Sequence, residues 1–378
     1  VTAVDDAKLA ALNVIADANA TADDVKTAKA TLKAAVDALA IVTPVPGTFY
    51  AIRDHRYNTY VDGSSFAPAG HVMVGKVAHT AKNESTGLTA GQIWYFDVNM
   101  KGYSLATGFG LNNATEKAGV SDAQVFTFEA KNDQTGLPKT FAVRVPNSNT
   151  NTYWYIWDNT TTTTTDKYGY VDRNGEKYSA NNCQFYIDKI KSLPVTIGST
   201  GYASVNLPVA TIIPEGVEAW VAGTEKDGKL PLSKIKDTNI LPANCAVILY
   251  TASPDTYNFV ITTSDDVVAN TFSGTVAAQA LNESVTTMVL GNDATSGVGL
   301  YNYAPTEAAD KYIPGFKMYY ETTTPASEVR VQWIDTTTAI EAAKRTDMRE
   351  GEMYNLNGQQ VTKANGLVIV NGRKFIVK

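Results

Sequence analysis

The chain has 378 residues, 44% of them hydrophobic and 19% charged, with a formal net charge of -6. At roughly 150 residues per domain this length suits two or three domains, and the apolar share excludes a wholly disordered chain. The acidic balance argues against nucleic-acid binding, which needs concentrated Lys and Arg. Three His and two Cys leave little for zinc sites, His-based catalysis or a disulfide framework. No apolar run approaches the roughly 18 residues of a membrane span.

Residues 1–43 read as a helical spacer. Leu9, Leu12, Ile15 and Ala16 recur at helical spacing. Thr21-Ala-Asp-Asp24 has the form of a capping box, and Val25, Ala28, Leu32, Ala35, Val36 and Leu39 then make one apolar stripe. The run ANATADDVKTAKATLKAAVDALA resembles the last helix of FIVAR-type three-helix modules of bacterial surface proteins. The start, Val1-Thr2-Ala3, has neither a basic nor an apolar leader region, so the expectation is a piece of a longer protein with upstream domains. Val42-Thr-Pro-Val-Pro-Gly47 is a stiff linker that ends the helix.

Residues 44–190 switch to alternating, strand-like patterning. Three segments share a layout of opening strand, turn and closing strand. The openings are Phe49-Tyr-Ala-Ile-Arg53, Tyr103-Ser-Leu-Ala106 and Phe141-Ala-Val-Arg-Val145. The closings are Gln92-Ile-Trp94-Tyr-Phe96, Gln124-Val-Phe126-Thr-Phe128 and Cys183-Gln-Phe185-Tyr-Ile187. A closing strand repeated with alternating aromatics predicts three hairpin units around one core. FYAIRD, YNTYVDG and GQIWYF resemble ricin-type β-trefoil modules, which carry a Q-x-W motif in each of three repeats. Gln92-Ile93-Trp94 matches that motif in full, Gln124-Val125-Phe126 with Phe for Trp, and Cys183-Gln184-Phe185 at the aromatic position only. The resemblance implies a Trp that fills the core, a Gln that braces the turn, and a shallow sugar pocket nearby.

Residues 191–335 carry short alternating runs separated by turn signals, such as Val217-Glu-Ala-Trp-Val221 and Ala246-Val-Ile-Leu-Tyr250, and read as a β-sandwich. The stretch resembles a module common near the C-termini of Bacteroidetes-type surface proteins. Residues 336–378 contain Met353-Tyr-Asn-Leu-Asn-Gly-Gln-Gln-Val361 and Asn365-Gly-Leu-Val-Ile-Val-Asn-Gly-Arg-Lys-Phe-Ile-Val-Lys378. They resemble the type IX-like C-terminal sorting tail of secreted Bacteroidetes proteins, which implies export to the cell surface or beyond. Asn357-Gly358 and Asn371-Gly372 are type I′ turn dipeptides. The fold class expected is therefore mainly β and multidomain: helical hairpin, β-trefoil, β-sandwich and a short β tail.

Chemistry-bearing residues are sparse. His55, His71 and His79 lack the converging partners of a metal site. Asp265-Asp266 and Asp23-Asp24 are sequence neighbours, whereas glycosidase carboxylates meet across a cleft. No P-loop, G-x-S-x-G elbow or dinucleotide fingerprint is present. Cys183 and Cys245 read as two buried, inert thiols. Asn159 with the threonines at 160–165 makes a polar loop, and Asp335-Thr336-Thr337 fits a short bacterial O-glycosylation pattern. The segment Thr152-Tyr-Trp-Tyr-Ile-Trp-Asp158 carries the candidate site. Alternation sets Trp154 and Ile156 on one face and Tyr153, Tyr155 and Trp157 on the other. Such an aromatic face beside Asp158 and Asn159 would stack on sugar C–H groups and bind hydroxyls. The alternative is that packing between repeats buries both faces.

The function expected is a non-catalytic, extracellular carbohydrate-binding or adhesion segment, with glycan or glycoprotein as partner and no cofactor. Two alternatives stand beside it. One is the accessory C-terminal region of a multidomain glycoside hydrolase or protease whose catalytic domain lies upstream. The other is a structural surface protein without ligand.

Overall fold

The computed structural model describes residues 2–37, 43–64, 68–69, 72–74, 78–80, 82–83, 85, 87–111, 117–119, 123, 125–131, 140–144, 153–156, 171–175, 183–235, 238–294, 297–307, 310–323, 330–334, 353–354, 360–361, 366–370 and 373–377. Two helices, α1 (Thr2–Ala16) and α2 (Ala22–Asp37), form an N-terminal hairpin. Thr21 caps α2 as its sequence predicts. The Asp24 amide donates to Thr21 Oγ1 at 3.2 Å, and the Asp24 carboxylate accepts from the Thr21 amide at 2.8 Å and its hydroxyl at 2.6 Å. Among the described side chains of α1, Ala7 is buried. Leu9, Leu12 and Ile15, three of the residues whose spacing marks the helix, are exposed, as is Val25.

The next strands are β1 (Thr48–Asp54), β2 (Tyr60–Asp62), β3 (Pro68–Ala69), β4 (Val72–Val74), β5 (Ala78–Thr80), β6 (Trp94–Phe96), β7 (Gly102–Ser104), β8 (Lys117–Gly119), β9 (Thr127–Ala130), β10 (Phe141–Arg144), β11 (Tyr153–Ile156), β12 (Val171–Gly175) and β13 (Phe185–Lys189). Their pairing closes a ring. β1 pairs with β6, and β6 with β7. A bridge from Lys101 to Val125 leads from the start of β7 to β9. β9 then pairs with β10, β10 with β13, and β13 with β1. The six ring strands are the three openings and three closings, in alternating order. The β2/β5 and β11/β12 hairpins project from the ring. A six-stranded ring built from three such units is β-trefoil connectivity.

Trp94, Phe126 and Phe185, the aromatic positions of the three closing strands, meet in one core with Phe96, Phe128, Phe141 and Trp154. Phe126 lies 5.0 Å from Trp154, and Phe96 lies 5.2 Å from Phe128, both edge to face. Such pairs add about 0.5–1.5 kcal/mol beyond their area burial.

The following stretch holds β14 (Ser192–Thr196), β15 (Tyr202–Val205), β16 (Thr211–Ile212), β17 (Val217–Ala222), β18 (Lys229–Lys234), β19 (Ile240–Leu241), β20 (Val247–Thr251), β21 (Thr256–Ile261), β22 (Ser273–Gly274), β23 (Gln279–Ala280), β24 (Thr286–Asp293), β25 (Gly297–Asn302), β26 (Tyr312–Ile313), β27 (Met318–Thr322) and β28 (Arg330–Ile334). One sheet runs β14-β21-β16-β19 and a second β15-β20-β17-β18-β28, the last pair parallel. These two sheets make the sandwich expected from the turn spacing. A third sheet, β22-β27-β24-β25, covers the other face of the second. The middle sheet is therefore buried on both sides. Val217, Ala219 and Val221 of β17 join the core against the first sheet, while Trp220 and Ala222 join the core against the third. In β20, Val247 and Leu249 face one way and Ile248 the other. This two-sided burial accounts for the near-continuous apolar runs of both strands.

Near the C-terminus, β29 (Met353–Tyr354), β30 (Gln360–Val361), β31 (Gly366–Val370) and β32 (Arg373–Val377) form a sheet ordered β30-β29-β31-β32. Val370 opposite Arg373 leaves two residues for the connection, the length of a type I′ hairpin. The dipeptides 357–358 and 371–372 themselves lie outside the described residues. Among the described residues no helix is long and apolar enough to cross a membrane.

Candidate functional site

Of the residues expected to form an exposed aromatic face, Tyr153 is the one whose side chain is described, and it is buried. Tyr153 is 3% exposed, and its hydroxyl donates to Glu129 Oε2 at 3.1 Å. Trp154, the next residue, is buried against Phe126 and Phe185. Tyr153 thus offers no free ring to a ligand. The pairing with β12 shifts register between Tyr153 and Tyr155. Tyr155 pairs through its backbone with Asp172. Its side chain, together with Trp157, Asp158 and Asn159, lies outside the described residues, as do the side chains of His71 and His79.

The Q-x-W motif forms a brace. Gln92 is buried, and its Oε1 accepts from the Thr89 amide at 3.1 Å. Its Nε2 donates to Thr80 Oγ1 at 2.7 Å. Thr80 Oγ1 passes the chain on to Asp62 Oδ2 at 2.6 Å. Asp62 Oδ1 accepts from the amide and hydroxyl of Ser64 at 2.8 and 2.6 Å. Trp94 donates its indole N–H to the Val61 carbonyl at 2.9 Å, with its ring fully buried. Gly91 is required beside this network, because a Cβ there would sit 2.3 Å from Asp62 Oδ1. Both Asp62 oxygens are therefore turned to the protein.

A partly exposed polar and aromatic cluster lies at the seam of β1 and β13. Arg53 and Tyr186 are cross-strand partners. The guanidinium sits 4.0 Å over the Tyr186 ring. Its Nε donates to Asp188 Oδ2 at 2.9 Å, and Nη1 donates to Asn58 Oδ1 at 2.9 Å. Asn58 holds a left-handed backbone, φ 56°, which short amide side chains tolerate best after Gly. His55 Nδ1 lies 3.0 Å from the Tyr186 hydroxyl, and the two rings meet edge to face at 5.5 Å. Alternation aims Arg53 and His55 outward and Asp54 inward. Asp54 is fully buried, and its Oδ1 accepts from the Tyr57 amide at 2.6 Å. Burial raises its carboxyl to about 6 against the pull of backbone N–H groups and the Arg56 charge.

This cluster offers one aromatic ring, donors from Arg53 and His55, and acceptors from Asp188 and Asn58 on half-open surface. That set matches ring stacking and hydroxyl recognition. Sequence reasoning did not find it, because Arg53 and Asp188 stand 135 positions apart and no local pattern links them. Among the described residues no group of three or more His, Cys, Asp or Glu is placed to hold a metal ion. Cys183 and Cys245 are both buried and do not form a disulfide.

No protein-family model and no curated protein matches the chain. Solved structures similar to parts of it include the following two. One is the β-trefoil BEL in an apo crystal form, at 11% identity and a TM-score of 0.24, covering 39% of this chain and 97% of that one. The other is Cry35Ab1, at 11% identity and a TM-score of 0.26, covering 48% of this chain and 47% of that one. The trefoil assignment rests on the closed ring of strand pairs and the three converging aromatics rather than on these likenesses.

Proposed function

We propose that this chain is a non-catalytic, extracellular carbohydrate-binding and adhesion segment of a larger secreted or cell-surface protein. The observation that carries the reading is the Arg53–His55–Tyr186–Asp188 cluster on the outside of a trefoil barrel. It combines a ring, two donors and an acidic acceptor within one side chain's reach of solvent. The end of the β11 segment, Trp157 with Asp158 and Asn159, supplies the same residue types and belongs to the same proposal. One observation favours a second reading, a structural module without ligand: Asp62, the acid beside the Q-x-W brace, spends both oxygens inside the protein.

The test uses the whole chain. Phe49 and Tyr95 of the barrel share a core with Leu193 and Phe316, so an isolated barrel would expose them. A glycan array with mucin and plant polysaccharides, followed by calorimetry, should give reproducible hits at micromolar to millimolar affinity. Tyr186→Ala should weaken them by about tenfold or more, as should Trp157→Ala, with thermal unfolding retained. A blank array would overturn glycan binding and leave the structural reading.

A further inference from the structure

Another opening lies between the start of β24 and the loop that follows β25, and it shares no lining residue with the barrel cluster. It is a half-open cavity of about 340 Å³, lined by Tyr303, Asn282, Asn302, Thr287, Glu283 and Lys311 among others. Its walls are braced. The Tyr303 amide donates to the Thr287 carbonyl at 2.8 Å, and the Leu281 amide to the Lys311 carbonyl at 3.1 Å. The Tyr303 hydroxyl donates to the Asp310 carbonyl at 3.0 Å, which fixes the ring. Asn282 Oδ1 accepts from the Ser284 amide and hydroxyl at 3.2 and 2.6 Å, so the amide nitrogen is the part left to point elsewhere.

The chemistry of the lining selects among ligands. Glu283 and Lys311 neutralise each other at 2.6 Å, so the cavity has no uncommitted charge for a phosphate, carboxylate or cation. The polar lining that remains is neutral: two Asn side chains, two Thr side chains and one phenol ring. Thr287 Oγ1 is buried without a hydrogen-bond partner, so it is a cost inside the wall and not a ligand contact. The Asn302 side chain is exposed. The volume sits near the low end of the roughly 300–1,000 Å³ range of ligand pockets, which suits a single six-membered ring.

We infer that this cavity is a separate subsite for one neutral sugar residue, with Tyr303 as the stacking ring and Asn282 and Asn302 as hydroxyl-binding amides. The inference rests on the glycan-binding reading of the chain but not on the barrel cluster. The experiment titrates the full chain with the methyl glycosides of glucose, galactose, mannose and N-acetylglucosamine at millimolar concentrations. Amide NMR shifts at Thr287, Asn302 and Tyr303 are the readout. At least one glycoside should shift them saturably. Asn302→Ala should weaken that binding by about tenfold with unchanged thermal unfolding, and Tyr303→Ala should abolish it. Tyr303→Phe, which keeps the ring, should retain most of it. Tyr186→Ala should leave the shifts untouched. Absence of shifts with all four glycosides, or shifts that persist in both Asn302→Ala and Tyr303→Ala, would overturn the subsite. Array binding lost only in Tyr186→Ala would uphold the barrel reading and overturn this one. Loss only in the Tyr303 and Asn302 variants would do the reverse.

Discussion

Asp54 is a carboxyl whose burial outweighs three backbone N–H contacts and the nearby Arg56 charge, so it titrates near 6 instead of its ordinary 3.8. A raised folded value means the folded state binds the proton more tightly than the unfolded chain. Stability should therefore fall as pH rises from about 4 to about 6, and the full cost is present above that window. Two pKa units set the upper size of the effect at about 3 kcal/mol. Denaturant unfolding of the wild type between pH 4 and 7 should show this slope, and Asp54→Asn should lack it. Equal slopes in the two proteins would refute the assignment. At this scale the sequence was partly legible. Gln92 and Trp94 do what their motif implies: Gln92 braces the turn at Thr89 and Trp94 fills the core. Tyr153 was not legible, because its hydroxyl's partner, Glu129, stands 24 positions away on β9.

Elements follow from patterns that are local in the chain. The Thr21–Asp24 cap starts α2 because both partners lie within one turn. Thr21→Ala should cost about 1 kcal/mol, and hydrogen exchange should quicken in the first turn of α2 while barrel amides stay protected. The helices themselves were readable, but their buried side was not. Leu9, Leu12 and Ile15 have helical spacing and remain exposed, since α2 covers the side carrying Ala7. Strands β17 and β20 show the complementary case. Their runs read from the sequence as alternating strands of a sandwich, and only the third sheet shows that both faces are covered.

The barrel and the sandwich share one continuous core. Phe49, Tyr95 and Phe316 pack with ring centroids 5.0 to 6.4 Å apart. Beside them the backbones at Gly108 and Gly315 touch. The Ala278 amide donates to the Gly108 carbonyl at 2.8 Å, and the Gly315 amide to the Thr107 carbonyl at 3.0 Å. A Cβ on Gly315 would lie 2.3 Å from Gly108 Cα, so the two backbones must part to admit it. Gly315→Ala should destabilise the chain by roughly 1–3 kcal/mol and loosen the joint. Calorimetry should then resolve separate barrel and sandwich transitions, where the parent is expected to unfold in one coupled transition. A parent-like single transition in the variant would argue that the joint carries little of the coupling.

The sequence by itself determined what depends on nearest neighbours and on simple periods: the capped helix, the alternating strands, and three repeats with an aromatic in each closing strand. Hydrophobic spacing and turn chemistry act over a few residues, so they can be read from a few residues. The tertiary structure decided everything that joins distant segments. It closed the ring of β1 and β13, added the third sheet, set Arg53 over Tyr186, and brought Asn282 and Lys311 beside Tyr303. Those contacts depend on which surfaces remain to be buried after the local elements form, and no local spacing records that choice.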